Sequence, residues 1–265
     1  RNLMTVRIAQ NLGIKKIAKF ASDLNIYENP EELLSLSLGS SETTLLKLTS
    51  AYSSFVNGGK LINPKFIDRI QDSEGNTIFN SENRQCEGCK QISYLSKKIP
   101  KIKNNFAQII SKETAYQMTS ILEGTVKRGT AKGLKDLNLD LGGKTGTTNK
   151  NTDTWFIGFS SNYVIGVYVG YDEPSSLGKY ETGARTAMPI FKDFVKNVIK
   201  KDNARPFKIP QGIKMLVVNS QTGERASYSD ESIIIEAFKE KDLVNNKIQY
   251  GNVDYISKEN IYKFY

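Results

Sequence analysis

Apolar positions recur every three or four residues along much of the first half of the chain. Leu3, Val6 and Ala9 make one short stripe, and Ile14, Ile17, Ala18, Ala21 and Leu24 make another after Gly13. That spacing predicts helix over residues 3–24, interrupted at the glycine. Ser40-Ser41-Glu42 offers an N-cap to a further helix carrying Leu45, Leu48, Tyr52 and Phe55 on one face, and Asn57-Gly58-Gly59 supplies its stop. Phe66 to Phe79 reads as a hairpin turning at Asp72-Ser73-Glu74-Gly75-Asn76. Ser111 caps a helix in which Ala115, Met118, Leu122 and Val126 share a face, ending near Arg128-Gly129.

The period then changes. Residues 141–148, 154–160 and 163–171 have strand character, and Ser161-Asn162 is too short a link for anything but antiparallel neighbours. Ala187 to Lys201 returns to helix, with Phe191, Phe194, Val195 and Val198 on one side and Pro189 in the first turn. Beyond Arg205-Pro206 the chain offers a hairpin, Met215–Val218 turning at Gln221-Thr222-Gly223, and a short amphipathic piece near Ile233–Phe238. The expected organisation is therefore a helical and hairpin region over 1–79, a polar surface insertion over 80–107, a core over 108–204 and a tail over 205–265.

Composition narrows the chemistry. Histidine is absent, which removes every His-based catalytic triad and His-ligated metal site and leaves lysine, carboxylate or backbone groups for proton transfer. The net charge of +9 suits an anionic polymer or surface. Its lysines are scattered in short pairs with no basic-aromatic module, so no nucleic-acid partner is expected. No apolar run reaches the length of a bilayer span, and a chain beginning with Arg1 rather than Met carries no information about targeting.

The most informative segment is Lys144-Thr145-Gly146-Thr147-Thr148-Asn149, between Leu141-Gly142-Gly143 and Thr154-Trp155-Phe156-Ile157-Gly158-Phe159. In an extended strand Thr145 and Thr147 share a face, so two hydroxyls can grip one carboxylate beside the Lys144 charge. Gly146 lets a ligand lie close along the strand, and the Thr147 N–H can meet a developing oxyanion. Lys-Thr-Gly alone is three common residues. Its context, the start of an antiparallel run followed by a helix, is the one that S-x-x-K serine acyltransferases need.

Longer phrases are more specific. Leu36–Lys60 (LSLGSSETTLLKLTSAYSSFVNGGK), 112–132 (KETAYQMTSILEGTVKRGTAK), 142–159 (GGKTGTTNKNTDTWFIGF) and 182–194 (TGARTAMPIFKDF) resemble the transpeptidase domain of class A penicillin-binding proteins. So do PFKIPQGI and the Thr222-Gly223 turn in the tail; the resemblance is weakest over 80–107. It implies an α+β fold of the β-lactamase/transpeptidase kind, an antiparallel sheet flanked by helices, incomplete here because the upstream strands and serine helix are missing. The implied activity is D,D-transpeptidation: a serine acyl-enzyme cross-links peptidoglycan stem peptides and is the target of β-lactams. The implied setting is the periplasmic face of the bacterial inner membrane, with other cell-wall synthesis proteins as partners and no cofactor or metal.

Carried onto this sequence, the resemblance makes Lys144 and Asn2 catalytic, Asn2 being the asparagine of an S-x-N whose serine would precede Arg1. Thr145, Gly146 and Thr147 bind substrate, and Thr147 N–H forms half of the oxyanion hole. The nucleophile departs from the pattern. Ser176-Leu177-Gly178-Lys179 spells S-x-x-K after a strand and with a glycine inside, where the chemistry wants both side chains one helical turn apart. It is a loop coincidence, as are Ser81-Glu82-Asn83 and Ser160-Ser161-Asn162 for S-x-N. These 265 residues alone are expected to be inactive. Cys86-Glu87-Gly88-Cys89 could be a disulfide, a pair of thiols or part of a metal site, and the implied periplasm favours the disulfide. The alternatives keep the fold as a D,D-carboxypeptidase or β-lactamase, or make it a non-catalytic domain that binds peptidoglycan or a partner.

Overall fold

The structure is a computed structural model that describes residues 2–81, 86–87, 101–102, 106–199 and 204–245. It begins with two helices, α1 (Asn2–Leu12) and α2 (Ile14–Asp23), separated at Gly13, whose φ of 88° stops the first helix. A short 3₁₀ turn, Leu34–Leu38, follows and packs against both. Helix α3 (Leu45–Val56) is capped by Thr44, whose Oγ1 accepts from the Lys47 N–H at 3.2 Å. The cap expected at Ser40–Glu42 is therefore misplaced. Those residues precede an extended Thr44, and only that geometry aims a side-chain oxygen at the third amide of the helix.

Strands β1 (Arg69–Gln71) and β2 (Thr77–Asn80) form the expected hairpin. Asp72 closes its turn by accepting from the Glu74 and Asn76 N–H groups. Strands β3 (Cys86–Glu87) and β4 (Lys101–Ile102) pair antiparallel. Cys86 is disulfide-bonded, whereas Cys89 and Glu82-Asn83 lie outside the described residues. Ser111 caps α4 (Lys112–Lys127) as expected, accepting from Thr114 N–H at 3.2 Å. Thr119 Oγ1 of α4 lies 3.1 Å from the Phe55 carbonyl of α3, tying the two helices together.

Three strands carry the centre of the molecule: β5 (Gly142–Thr147), β6 (Asp153–Phe159) and β7 (Val164–Gly170), all antiparallel in the order β5-β6-β7. Pairing sets two faces. Ile157 and Gly166 lie on one, where α3 comes so close that a Cβ on Gly166 would sit 2.1 Å from Thr49 Oγ1. Phe156 lies on the other, covered by α5 (Ala187–Val198) and the 3₁₀ segment Lys132–Leu137. Phe156 and Phe191 meet edge-to-face, ring centroids 4.9 Å apart, with Leu134, Leu141 and Val195 fully buried around them. Among the described residues, β5 and β7 each expose one edge of this sheet.

The described residues up to Lys208 form one compact unit and those from Ile209 onward a second. Within the second, β8 (Ile213–Asn219) pairs along its length with β9 (Ile233–Lys239), and α6 (Glu240–Asn245) follows. The amphipathic piece at Ile233–Phe238 is thus a strand, and Gln221-Thr222-Gly223 turns only as far as a single bridge, Val218 to Arg225. No helix among the described residues is long and apolar enough to cross a membrane.

Candidate active site

The direction of each backbone group along β5 follows from one hydrogen bond. Thr148 N–H donates to Asp153 O at 3.1 Å, toward β6. Amides alternate sides along an extended strand, so Thr147 N–H and the Thr145 N–H and C=O point away from β6, to the open edge. The same parity puts the Gly143 carbonyl on that edge, and there α4 covers it: Thr125 Oγ1 donates to Gly143 O at 2.6 Å. The exposed backbone therefore begins where the helix ends its cover, at Thr145.

Lys144 Nζ donates to Thr145 O at 2.8 Å, which brings its ammonium over this same edge. The described residues offer it no ion-pair partner. Lys144 keeps access to solvent, yet partial burial of the ammonium lowers its pKa below the ordinary lysine value. Thr145 and Thr147 project from the opposite face to Lys144, the face that α5 covers. Thr145 Oγ1 lies 3.5 Å from Thr130 Oγ1, and Thr147 Oγ1 accepts from Gly183 N–H at 3.0 Å. A charge, two hydroxyls and two outward amides lie within four consecutive residues.

No hydrogen bond among the described residues ties the other sequence candidates to these four. Asn2 opens α1, is exposed and makes no side-chain hydrogen bond among the described residues. Ser176 to Lys179 lies in irregular loop: Ser176 Oγ accepts from Gly178 N–H at 3.2 Å. Asn151 Nδ2 holds the following carbonyls, Gly178 O at 2.9 Å and Lys179 O at 3.0 Å. Ser160 is buried, its Oγ accepting from Asn162 and Tyr163 N–H groups to close the β6–β7 turn. Among the described residues no group of three His, Cys, Asp or Glu side chains is placed to hold a metal ion.

Some of the supporting residues were not singled out in the sequence. Lys150 and Asn151 both have positive φ, 62° and 55°, in the turn that closes β5 onto β6. Consecutive asparagine and lysine around Thr148 hint at a turn, but not at left-handed backbone. Glu123, on α4 behind Gly142, is paired with Lys127 at 2.9 Å. Burial pushes its carboxyl pKa up, with the Lys127 charge acting the other way.

Residues 1–196 match the family described as Penicillin binding protein transpeptidase domain. The chain belongs to this family. Among its relatives, penicillin-binding protein 1A of Rickettsia conorii is 41% identical over 261 residues, covering 98% of this chain and 32% of that protein. Penicillin-binding protein 1A of Pseudomonas aeruginosa is 31% identical over 277 residues, 91% of this chain and 33% of that protein. The crystal structure of penicillin-binding protein 1A from Haemophilus influenzae superposes with a TM-score of 0.76 at 30% identity, covering 90% of this chain and 38% of that one. This penicillin-binding protein transpeptidase chain thus spans about a third of the length of the curated relatives it matches.

Proposed function

We propose that the chain supplies the carboxylate-binding and oxyanion-binding side of a peptidoglycan D,D-transpeptidase. The observation that carries this reading is the open edge of β5, which Lys144 Nζ reaches through Thr145 O, which bears the outward Thr147 N–H, and along which Thr145 and Thr147 set both hydroxyls on one face. A stem peptide ending in D-Ala-D-Ala would lie along that edge. Its terminal carboxylate would meet the two hydroxyls near the lysine charge, and its scissile carbonyl would meet Thr147 N–H.

In this reading a serine hydroxyl attacks the amide carbon, the tetrahedral oxyanion collapses, and D-alanine leaves with the proton that the serine gave up. An amine of a second stem peptide then attacks the ester carbon, frees the serine and forms the cross-link. Lys144 supports the proton relay between serine and leaving amine, and Asn2 bonds the substrate's amide carbonyl. The serine and the S-x-x-K lysine come from residues other than these 265, since Ser176 has no helix-held lysine one turn away. Peptidoglycan stem peptides and β-lactams are the proposed ligands, and the periplasm is the proposed compartment. With these go other cell-wall synthesis proteins as partners.

The test is to read the coding sequence upstream of Arg1, express the longer protein and incubate it and the 265-residue chain with fluorescent penicillin. The longer protein is expected to take one label on a serine before residue 1, and the chain alone none. A stoichiometric adduct on Ser176 would overturn the assignment. Adding an amine acceptor with a thioester substrate separates transfer from hydrolysis; hydrolysis alone would favour a carboxypeptidase.

A further inference from the structure

Gly183 lies well beyond the Lys-Thr-Gly run in sequence, yet its N–H donates to Thr147 Oγ1 at 3.0 Å. It is buried, and a Cβ there would come within 2.5 Å of Trp155 O and 2.6 Å of Gly146 O. The Gly183 backbone is therefore seated directly on the paired backbones of β5 and β6. Its glycine is needed for close approach, since both obstructing atoms are main chain and cannot swing away.

This position is set from the core outward. Met188 N–H donates to Gly183 O at 2.8 Å, and Arg185 and Thr186 N–H groups donate to Thr182 O at 2.9 and 2.8 Å. Met188 already belongs to α5, which Phe191 and Val195 anchor with no exposure to solvent. The Gly183 amide is thus a donor on a rigid support. A threonine hydroxyl has one proton and two lone pairs. Accepting from Gly183 occupies one lone pair and turns the Thr147 O–H away from that donor, toward the exposed side of the residue. Thr145 has no such constraint: between its hydroxyl and that of Thr130 either atom can donate.

We propose that Gly183 is a positioning residue that fixes the Thr147 hydroxyl as a hydrogen-bond donor toward an anionic group at the β5 edge, and so sets a preference for ligands bearing a free carboxylate. The inference rests on the carboxylate-binding role given to Thr147 under Proposed function. A structural role alone would slow every substrate equally, so the readout is a ratio: second-order acylation of the longer protein by benzylpenicillin against its methyl ester, which lacks the carboxylate charge.

In Gly183→Ala the methyl group must displace the loop from Thr147, and the acid-to-ester ratio is expected to fall by about tenfold. Thr147→Val should lower the ratio similarly, and the double variant should fall no further than Thr147→Val alone. A second variant places glycolic acid at 183, replacing the N–H by an ester oxygen without adding bulk; it should reproduce the fall in ratio even if the alanine variant does not fold. Equal losses on both substrates with an unchanged ratio, or an unchanged ratio in the glycolate variant, would overturn the proposal. No acylation of the unmodified longer protein by either compound would overturn the transpeptidase reading itself and the proposal with it.

Discussion

Replacing Lys144 by methionine should separate function from stability. The substitution removes the charge and the three donors but keeps an aliphatic stem along the strand. Lys144 has no carboxylate partner among the described residues; its bond is to the carbonyl of its own neighbour, Thr145, at 2.8 Å. Nothing structural should therefore collapse. Partial burial lowers the lysine pKa from 10.5, so the charged form is a cost to the folded state. That cost is fully present below the folded pKa and fades as pH rises through 10.5. The variant should melt at or above the temperature of the unmodified chain at neutral pH, with any gain shrinking in alkali. Acylation should move the other way. Loss of a positioned proton-transfer group typically costs on the order of a hundredfold to ten-thousandfold in rate. The assay is second-order acylation of the longer protein by fluorescent penicillin, beside melts across pH. Unchanged acylation, or a clear loss of stability at neutral pH, would refute the reasoning.

Further outcomes follow from the core and the insertion. Phe191→Ala, which removes the ring that packs edge-to-face on Phe156 at 4.9 Å in a site with no solvent exposure, should cost about 3–5 kcal/mol in denaturant unfolding. Thr154→Val should raise stability by about 1 kcal/mol, because the Thr154 hydroxyl is buried with no hydrogen-bond partner among the described residues; a destabilised variant would mean that the hydroxyl is satisfied in solution. Protein secreted into an oxidising compartment should show a Cys86–Cys89 disulfide, so thiol titration without reductant should find none. Two free thiols, or stoichiometric zinc, would contradict that pairing.

The parts of this fold that are visible in the sequence are those whose signal is local. Alternation and the short Ser161-Asn162 link announced β6 and β7, Ser111 announced the start of α4, and Gly13 marked the break between α1 and α2. Thr44 was missed because Ser40 and Ser41 are equally good capping residues by type, and backbone geometry chooses among them. Ile233 to Phe238 reads as a short amphipathic piece, although its three consecutive isoleucines favour the strand it forms. In the candidate site, the shared face of Thr145 and Thr147 was legible from strand periodicity alone. Gly183 was not. Its contact with Thr147 joins residues that only the packing of α5 onto the sheet brings together. The outward direction of Thr147 N–H likewise depends on which amides β6 takes up.

The central claim is that the open edge of β5 receives the carboxylate and the scissile carbonyl of one ligand. The most direct measurement is a crystal structure of the longer protein acylated by benzylpenicillin. The ligand carboxylate should lie within hydrogen-bond distance of both Thr145 Oγ1 and Thr147 Oγ1, and the ester carbonyl oxygen about 2.7–3.1 Å from Thr147 N. A carboxylate bound away from both threonines, or a carbonyl oxygen held by amides elsewhere, would contradict the account.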